Sequence, residues 1–188
     1  MEKEKFFEHL SNYHPISPGL KAYLAFVLKK QVLAASQINS TANFIQQPLI
    51  FIQHGNLRLF ALDREEQKEY TLSFFPEGTF FFPSHYLKAL EMPTSIHAIN
   101  EATILSFDQR HLYNLYHNFR EFSTVLALLQ RSAIQEMLYH SFMLQNANAR
   151  QAYTDFTSRY PTIAKSSQLQ HIANYLGIDN RTLSRIRR

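Results

Sequence analysis

The residues with the clearest chemical potential lie near the end of the sequence, where basic and amide side chains follow one another without an acid. After Asp179 the positions expected to point outward are Asn180, Arg181, Ser184, Arg185, Arg187 and Arg188. Arginine can donate two hydrogen bonds to O6 and N7 of guanine, and asparagine pairs in a similar way with N6 and N7 of adenine. Side chains of these types at helical spacing are suited to reading base edges in a DNA groove.

The position of a residue along such a helix indicates whether it contacts a base or a phosphate. The first residues of a recognition helix point at base edges, so we assign base contacts to Asn180, Arg181 and Arg185. Phosphate contacts come from hydroxyl groups, basic side chains and helix N-termini. We assign these to Ser166, Ser167, Thr182, Ser184, Arg187 and Arg188.

The elements that would position these side chains follow the template of a helix-turn-helix between Leu169 and Arg188. Ser167 and Gln170 have the spacing of a capping box, Gly177 can end the first helix in a left-handed conformation, and Asp179 can cap the second. The small residue at the closest approach is Ala173, and the buried positions are apolar: Ile172, Leu176, Ile178, Leu183 and Ile186. The alternative is a helical hairpin without a ligand, whose outer face would usually mix charges of both signs.

The net charge of +4 is concentrated in the same part of the chain. Residues 1–147 contain 12 Lys/Arg and 13 Asp/Glu, whereas residues 148–188 contain 7 and 2. A local positive excess is expected where a protein meets a phosphate backbone. Many solvated helices are also basic, so the charge supports the prediction only together with the motif.

Composition excludes several other classes of protein. The 188 residues are 45% hydrophobic and 18% charged, which is typical of a folded domain. Cysteine is absent, which excludes disulfides, thiolate metal sites and cysteine-ligated iron–sulphur clusters, and fits a reducing compartment. No apolar run reaches the roughly 18 residues of a membrane span, and the charged N-terminus lacks the apolar segment of a signal peptide. We therefore expect a cytoplasmic protein with no membrane partner.

Three regions with different periodicity predict an α+β fold. Residues 1–30 have helical patterns, and short β-type segments fill residues 31–107, which favours a jelly-roll-like β-sandwich. Turns at 54–56 and 76–78 are expected to form hairpins. The predicted units are a β-roll with N-terminal helices over 1–117, a long helix over 118–145 and a helix-turn-helix domain over 146–188.

The long helix carries two apolar stripes, and a helix with two apolar faces has two surfaces to cover. The stripe that we assign to a homodimer interface contains Phe122, Leu126, Leu129, Ala133, Met137 and Leu144. The second stripe contains Val125, Leu128, Ile134, Leu138 and Phe142. The alternative is a helix that is buried entirely within one protomer.

The order of elements, together with Gln-x-x-x-Ile-Ala-x-x-Leu-Gly-Ile-x-x-x-Thr-Leu-Ser-Arg from Gln168 to Arg185, resembles the cyclic-AMP-receptor (Crp/Fnr) superfamily of bacterial transcription regulators. The residue-level match covers Gln168–Arg188 and looks most like members from the Bacteroidetes. The resemblance implies a cyclic-nucleotide-binding-like β-roll that senses an effector, a dimerisation helix and a helix-turn-helix that reads an inverted repeat. It implies base contacts at Asn180, Arg181 and Arg185, and RNA polymerase is a further candidate partner. Many members add a β-hairpin wing, and here we expect little or none.

The region of the effector pocket departs from the cyclic-nucleotide pattern. Family members that bind cyclic nucleotides have a Gly-Glu pair, then an Arg-Ala pair whose Arg neutralises the phosphate. Here Thr79 follows Gly78, and Met92, Thr94 and Ser95 lie in the segment of the Arg-Ala pair. A buried phosphate without a cation is costly to desolvate, so we expect a degenerate pocket that does not bind cyclic AMP. The nearby aromatic residues are expected to fill core, with an apolar ligand as the alternative: Phe74, Phe75, Phe80, Phe81, Phe82 and Tyr86.

Metal and catalytic sites find little support in the sequence. A cupin-like metalloenzyme needs a His-x-His with a nearby Glu, whereas His54, His85 and His97 are isolated. The motifs of serine hydrolases, P-loop proteins and zinc proteases are also missing. We therefore predict neither an enzyme nor a cofactor. The alternatives are a ligand-binding or protein-interaction β-roll without a DNA function and, with less support, a cupin-like enzyme.

Overall fold

The computed structural model describes residues 3–85 and 92–187 and shows an α+β fold, as the sequence predicted. Two helices come first, α1 (Glu4–Ser11) and α2 (Pro18–Val27). Ser17 caps α2 because its hydroxyl accepts the Leu20 N–H at 3.1 Å, and Pro18 fits the first turn, where no backbone donor is needed.

A β-roll of two antiparallel four-stranded sheets follows in the described residues. Its strands are β1 (Lys29–Leu33), β2 (Ile38–Ser40), β3 (Ile50–His54), β4 (Leu57–Asp63), β5 (Lys68–Phe75), β6 (Phe80–Phe81), β7 (Thr94–Ala98) and β8 (Ala102–Ser106). The strand order is β1-β8-β3-β6 in one sheet and β2-β7-β4-β5 in the other. The apolar core between the sheets includes Leu33, Ile52, Leu59 and Ile104.

The two predicted hairpins are wrong, because the chain changes sheet at both turns. Gly55 joins β3 to β4, and the turn before Thr79 joins β5 to β6, yet neither pair of strands lies in the same sheet. Gly55 has φ +86°, and a Cβ there would lie 2.5 Å from the carbonyl oxygen of Glu101. A turn glycine therefore marked the end of a strand correctly but did not tell which strand pairs with which.

Helices make up the rest of the described chain: α3 (Leu112–Asn118), α4 (Arg120–Asn146), α5 (Ala149–Arg159), α6 (Pro161–Ser166), α7 (Leu169–Tyr175) and α8 (Asn180–Ile186). Asn148 and Gln151 form a capping box that starts α5 directly after α4. None of the described helices is long and apolar enough to cross a membrane.

The first half of α4 packs in the core of its own protomer, and this corrects part of the predicted dimer stripe. Phe122, Leu126 and Leu129 are buried with α1, α2 and the outer side of the β-roll, and Ala133 is partly buried against the same cluster. Met137 and Leu144 are about half exposed. The exposed apolar side chains of the second half of α4 are Ile134, Met137, Leu138, Phe142 and Leu144.

Candidate nucleic-acid interface

The turn between α7 and α8 is built from local interactions that the sequence predicted in part. Gly177 has φ +65°, and the Ile178 N–H donates to the Ala173 carbonyl at 3.0 Å, which closes the end of α7. The Asp179 carboxylate accepts the Thr182 N–H at 2.9 Å and so caps α8 as expected. The expected capping box at Ser167 is wrong, since Gln168 occupies the N-cap position and the Gln170 amide donates to the Gln168 side chain instead.

A buried apolar core fixes the two helices against each other. Ala173 is 2% exposed at the crossing, and Leu183 of α8 is completely buried. Ile172, Leu176 and Ile163 belong to the same cluster, with Ile178 partly buried beside them. Because Leu183 faces inward, the opposite side of α8 faces solvent.

The residues assigned to base contacts share this solvent-facing side of α8. Asn180, Arg181 and Arg185 are all exposed, and Arg181 and Arg185 are four residues apart, which places them on one helix face. Asp179 stays ionised at the helix start because hydrogen bonds from the Thr182 hydroxyl and N–H lower its pKa. This single carboxylate is at the N-terminus of α8, where the helix dipole favours it.

The residues assigned to phosphate contacts differ in how free their donors are. Arg187 is exposed, whereas Arg188 lies outside the described residues. Three hydroxyls already donate within the protein: Thr182 to the Asp179 carboxylate, Ser184 to the Asn180 carbonyl at 2.8 Å and Ser166 to the Thr162 carbonyl at 3.0 Å. A phosphate can only accept, so these hydroxyls would have to rotate away from their present partners to contact one. Ser167 is partly exposed as a residue, but its hydroxyl oxygen is buried and has no hydrogen-bond partner in the described structure.

One basic residue of the C-terminal segment is exposed but has its charge paired within the protein. Arg159 forms ion pairs with Glu136 of α4 and, at 3.8 Å, with Asp155, and its guanidinium stacks over the Tyr139 ring at 3.9 Å. These contacts pair its charge within the protein at the place where α5 packs on α4, which we call the joint between α4 and α5. The positive excess that is available to a nucleic acid is therefore smaller than the sequence count suggested.

The same joint holds the helix-turn-helix domain on α4 through contacts that no sequence motif indicated. The Tyr139 hydroxyl donates to Asp155 at 2.7 Å, and the Tyr160 hydroxyl donates to Glu136 at 2.7 Å. The His140 ring stacks on the Tyr175 ring with centroids 3.9 Å apart, and its Nε2 lies 3.0 Å from the Tyr175 carbonyl oxygen. Burial lowers the pKa of His140, so its ring packs there in the neutral form.

The residues assigned to the effector pocket make contacts within the β-roll. Gly78 has φ +85°, its N–H donates to the Ile52 carbonyl at 2.8 Å, and a Cβ there would lie 2.6 Å from Nε2 of His9. The Thr79 hydroxyl donates to the Pro76 carbonyl at 2.7 Å. Thr94 is buried with its hydroxyl 2.6 Å from that of Thr41, Ser95 is partly buried, and Met92 is exposed.

The aromatic residues of this region are distributed over three different cores. Phe75 and Phe81 lie between the sheets, Phe82 packs with the helices, and Phe74 packs against the helix-turn-helix domain. Phe80 is partly buried against the N-terminal helices, and Tyr86 lies outside the described residues. These packing positions support core filling, and the same five phenylalanines also line a cleft beside α4, so the apolar-ligand alternative stays open.

A cleft of about 690 Å³ remains between the β5–β6 region and α4. Its α4 wall includes Leu129, Ala133, Met137 and Leu144, and the only Lys or Arg among the described lining residues is Arg159, which pairs with Glu136. No group of three or more potential metal ligands occurs among the described residues. His54 instead pairs with Glu77 at 2.8 Å, and His85 stacks on a phenylalanine.

Comparisons with known proteins agree on the fold. No protein-family model matches the sequence, and no curated protein matches it either. Among solved structures, a protein from Eubacterium rectale assigned to the Crp/Fnr family of transcriptional regulators superposes with a TM-score of 0.67 at 16% identity, covering 93% of this chain and 85% of that one. FixK2 from Bradyrhizobium japonicum superposes with a TM-score of 0.66 at 13% identity, covering 85% of this chain and 82% of FixK2. A CooA variant from Carboxydothermus hydrogenoformans superposes with a TM-score of 0.62 at 21% identity, covering 95% of this chain and 80% of the CooA chain. The chain therefore has the fold of the Crp/Fnr transcription regulators over most of its length.

Proposed function

We propose that this chain is a sequence-specific DNA-binding transcription regulator of the Crp/Fnr type and not an enzyme. The observation that carries the proposal is the exposed row formed by Asn180, Arg181 and Arg185, on a helix that a capped turn and the buried Leu183 hold in place. The shared fold supports the same conclusion. Such a regulator works in the cytoplasm on double-stranded DNA, with RNA polymerase as a further partner.

The exposed apolar face of α4 supports a homodimer. Five large apolar side chains in its second half are 49–65% exposed, from Ile134 to Leu144. These side chains come from both apolar stripes, and large exposed apolar side chains along one helix segment mark an interaction surface; pairing with the same segment of a second copy buries both sets together. Two-fold symmetry would place the two recognition helices about 34 Å apart, which requires an inverted repeat in the DNA.

The lining of the cleft supports a pocket that has lost cyclic-nucleotide chemistry. The phosphate of a cyclic nucleotide needs a cation, and the only Lys or Arg that the described residues contribute to the cleft is Arg159, whose charge Glu136 already neutralises. His9 fills the space beside Gly78. We expect calorimetry to detect no cyclic-AMP binding tighter than about 10 µM, a free energy of roughly −7 kcal/mol.

The decisive experiment is selection of random-sequence duplexes by the purified protein at near-physiological salt. We expect an inverted repeat, and we expect Arg181→Ala or Arg185→Ala to lose the preferred base at one position of each half-site. Arg64→Ala is the matched control, because it removes the same exposed charge from the turn between β4 and β5. Recovery of no sequence above background would reject the proposal and favour a ligand-binding β-roll without a DNA function, for which the cleft offers a site.

A further inference from the structure

The helix-turn-helix domain has a second attachment, which joins it to the edge of the β-roll. Strand β5 is the outermost strand of its sheet, so its outer row of backbone groups has no strand partner among the described strands. Helix α7 covers this edge, and the Thr71 N–H donates to the side-chain oxygen of Asn174. Phe74 of β5 packs edge-on against Phe156 and Tyr175 of the C-terminal domain, with ring centroids 5.6 and 5.2 Å apart.

Four ionisable side chains from four elements meet at this attachment. Arg58 of β4 is 2% exposed and donates to Glu69 of β5 and to the Thr71 hydroxyl at 3.3 Å. His171 of α7 has its Nε2 4.0 Å from the Glu69 carboxylate, and its ring lies edge-on to that of His97 of β7 at 5.7 Å. The Glu69 carboxylate therefore pairs with a buried guanidinium and also interacts electrostatically with both histidines.

The polar groups of this cluster are incompletely satisfied in the docked arrangement. Within the described part of the chain, Nε of Arg58, Nδ1 of His97 and Nδ1 of His171 are buried without a hydrogen-bond partner. Buried polar atoms without partners, whether donors or acceptors, oppose the contact that buries them, since undocking would return them to water. The attachment is therefore weaker than its apolar contacts alone would make it.

The electrostatic environment keeps both histidines neutral while the domain is docked. Burial, the positive charge of Arg58 and the neighbouring His97 together lower the pKa of His171 to about 4, against an opposing effect of Glu69. Burial and Arg58 also lower the pKa of His97, against a smaller opposing effect of Glu69. A proton on either ring would place a second positive charge beside Arg58, with Glu69 as the one carboxylate facing them.

We propose that the contact between α7 and β5 is a proton-sensitive latch, in which neutral His97 and His171 keep the helix-turn-helix domain docked on the edge of the β-roll and their protonation releases it from that edge. The docked state binds fewer protons than the released state, in which the histidine pKa returns to about its ordinary value of 6.5. Docking is therefore fully favoured above pH 6.5 and weakens as the pH falls from 6.5 towards 4. For His171 alone, the docking equilibrium constant should fall about 30-fold between pH 8 and pH 5.

The absence of cysteine makes a direct distance measurement possible. Spin labels on Arg64→Cys and Lys165→Cys, both at exposed positions, would report the separation of the β4–β5 turn from α6. We expect one narrow distance distribution at pH 8 and a broad, longer one at pH 5, with unchanged far-ultraviolet circular dichroism. The protection factor of the Thr71 amide, which is the intrinsic hydrogen-exchange rate at each pH divided by the measured rate, should fall over the same pH range.

The double variant His97→Gln/His171→Gln carries amides that do not titrate, and it should stay docked at pH 5. His117→Gln, an exposed position on α3, is the matched control and should release like the unmodified chain. The latch is rejected if the unmodified chain keeps its narrow distribution at pH 5, or if helix content is lost together with docking. It is also rejected if the double variant is released at pH 5, or is already released at pH 8.

Discussion

Leu138→Glu should separate the proposed dimer into monomers without unfolding either protomer. Leu138 lies on α4 and is 65% exposed in the protomer, so the substitution removes no buried contact there. Burying the exposed part in a dimer contributes about two-thirds of the ~1.5–3 kcal/mol for full burial of such a side chain, or about 1–2 kcal/mol per copy. Both copies change at once, so the loss is about 2–4 kcal/mol, which weakens the dimer roughly 30- to 700-fold. Desolvation of the new carboxylates adds to this loss.

Sedimentation equilibrium over a range of protein concentrations measures the dissociation constant directly. Phe26→Glu is the matched control, because Phe26 is 84% exposed on α2, far along the chain from the proposed interface, and should leave the dimer intact. Thermal unfolding followed by circular dichroism should show folded Leu138→Glu monomers. A dissociation constant within about threefold of the unmodified chain, less than 1 kcal/mol, would show that the exposed face of α4 is not the dimer interface.

Further predictions concern the helix-turn-helix and the β-roll. Leu183→Ala should lower the free energy of unfolding by about 2–5 kcal/mol in urea titrations, because Leu183 is completely buried. Asp179→Ala should lower the urea midpoint of unfolding in the same titrations, because α8 loses its cap. Arg187→Ala should weaken binding to all duplexes alike. It should reduce the slope of log K against log[salt] by about 1.8 for the dimer, about 0.9 for each of the two copies, and a changed base preference would instead place Arg187 on a base. Gly55→Ala should reduce the yield of folded protein, since its Cβ would meet the Glu101 carbonyl at 2.5 Å in a positive-φ conformation.

Features set by neighbouring residues could be predicted from the sequence. The turn at Gly177 and the cap at Asp179 depend on a few consecutive residues, so their types were sufficient to place α7 and α8. Helical periodicity located α4, and β-type segments located the roll. The order of these elements was also sufficient for the fold class.

Features set by distant residues could not be predicted in the same way. Periodicity shows that Leu126 and Leu138 are apolar positions of one helix, but not that the first packs within the protomer and the second stays exposed. The pairing of Glu136 with Tyr160 and that of Thr71 with Asn174 join residues 24 and 103 positions apart. Such polar contacts follow from the packing of whole elements, so no local pattern indicates them.

The strand order of the β-roll also constrains how the chain folds during synthesis. Lys29 of β1 pairs with Ser106 of β8, and β2 pairs with β7. The first two strands therefore cannot pair until β7 and β8 have left the ribosome. The β4–β5 pair is the one local hairpin among the described strands and can form first. Loop closure over such separations makes the closing of the roll slow, because long loops must be ordered before their contacts form. The helix-turn-helix, with mostly local contacts, is expected to fold soon after it is translated, and edge strand β5 is already available to receive it.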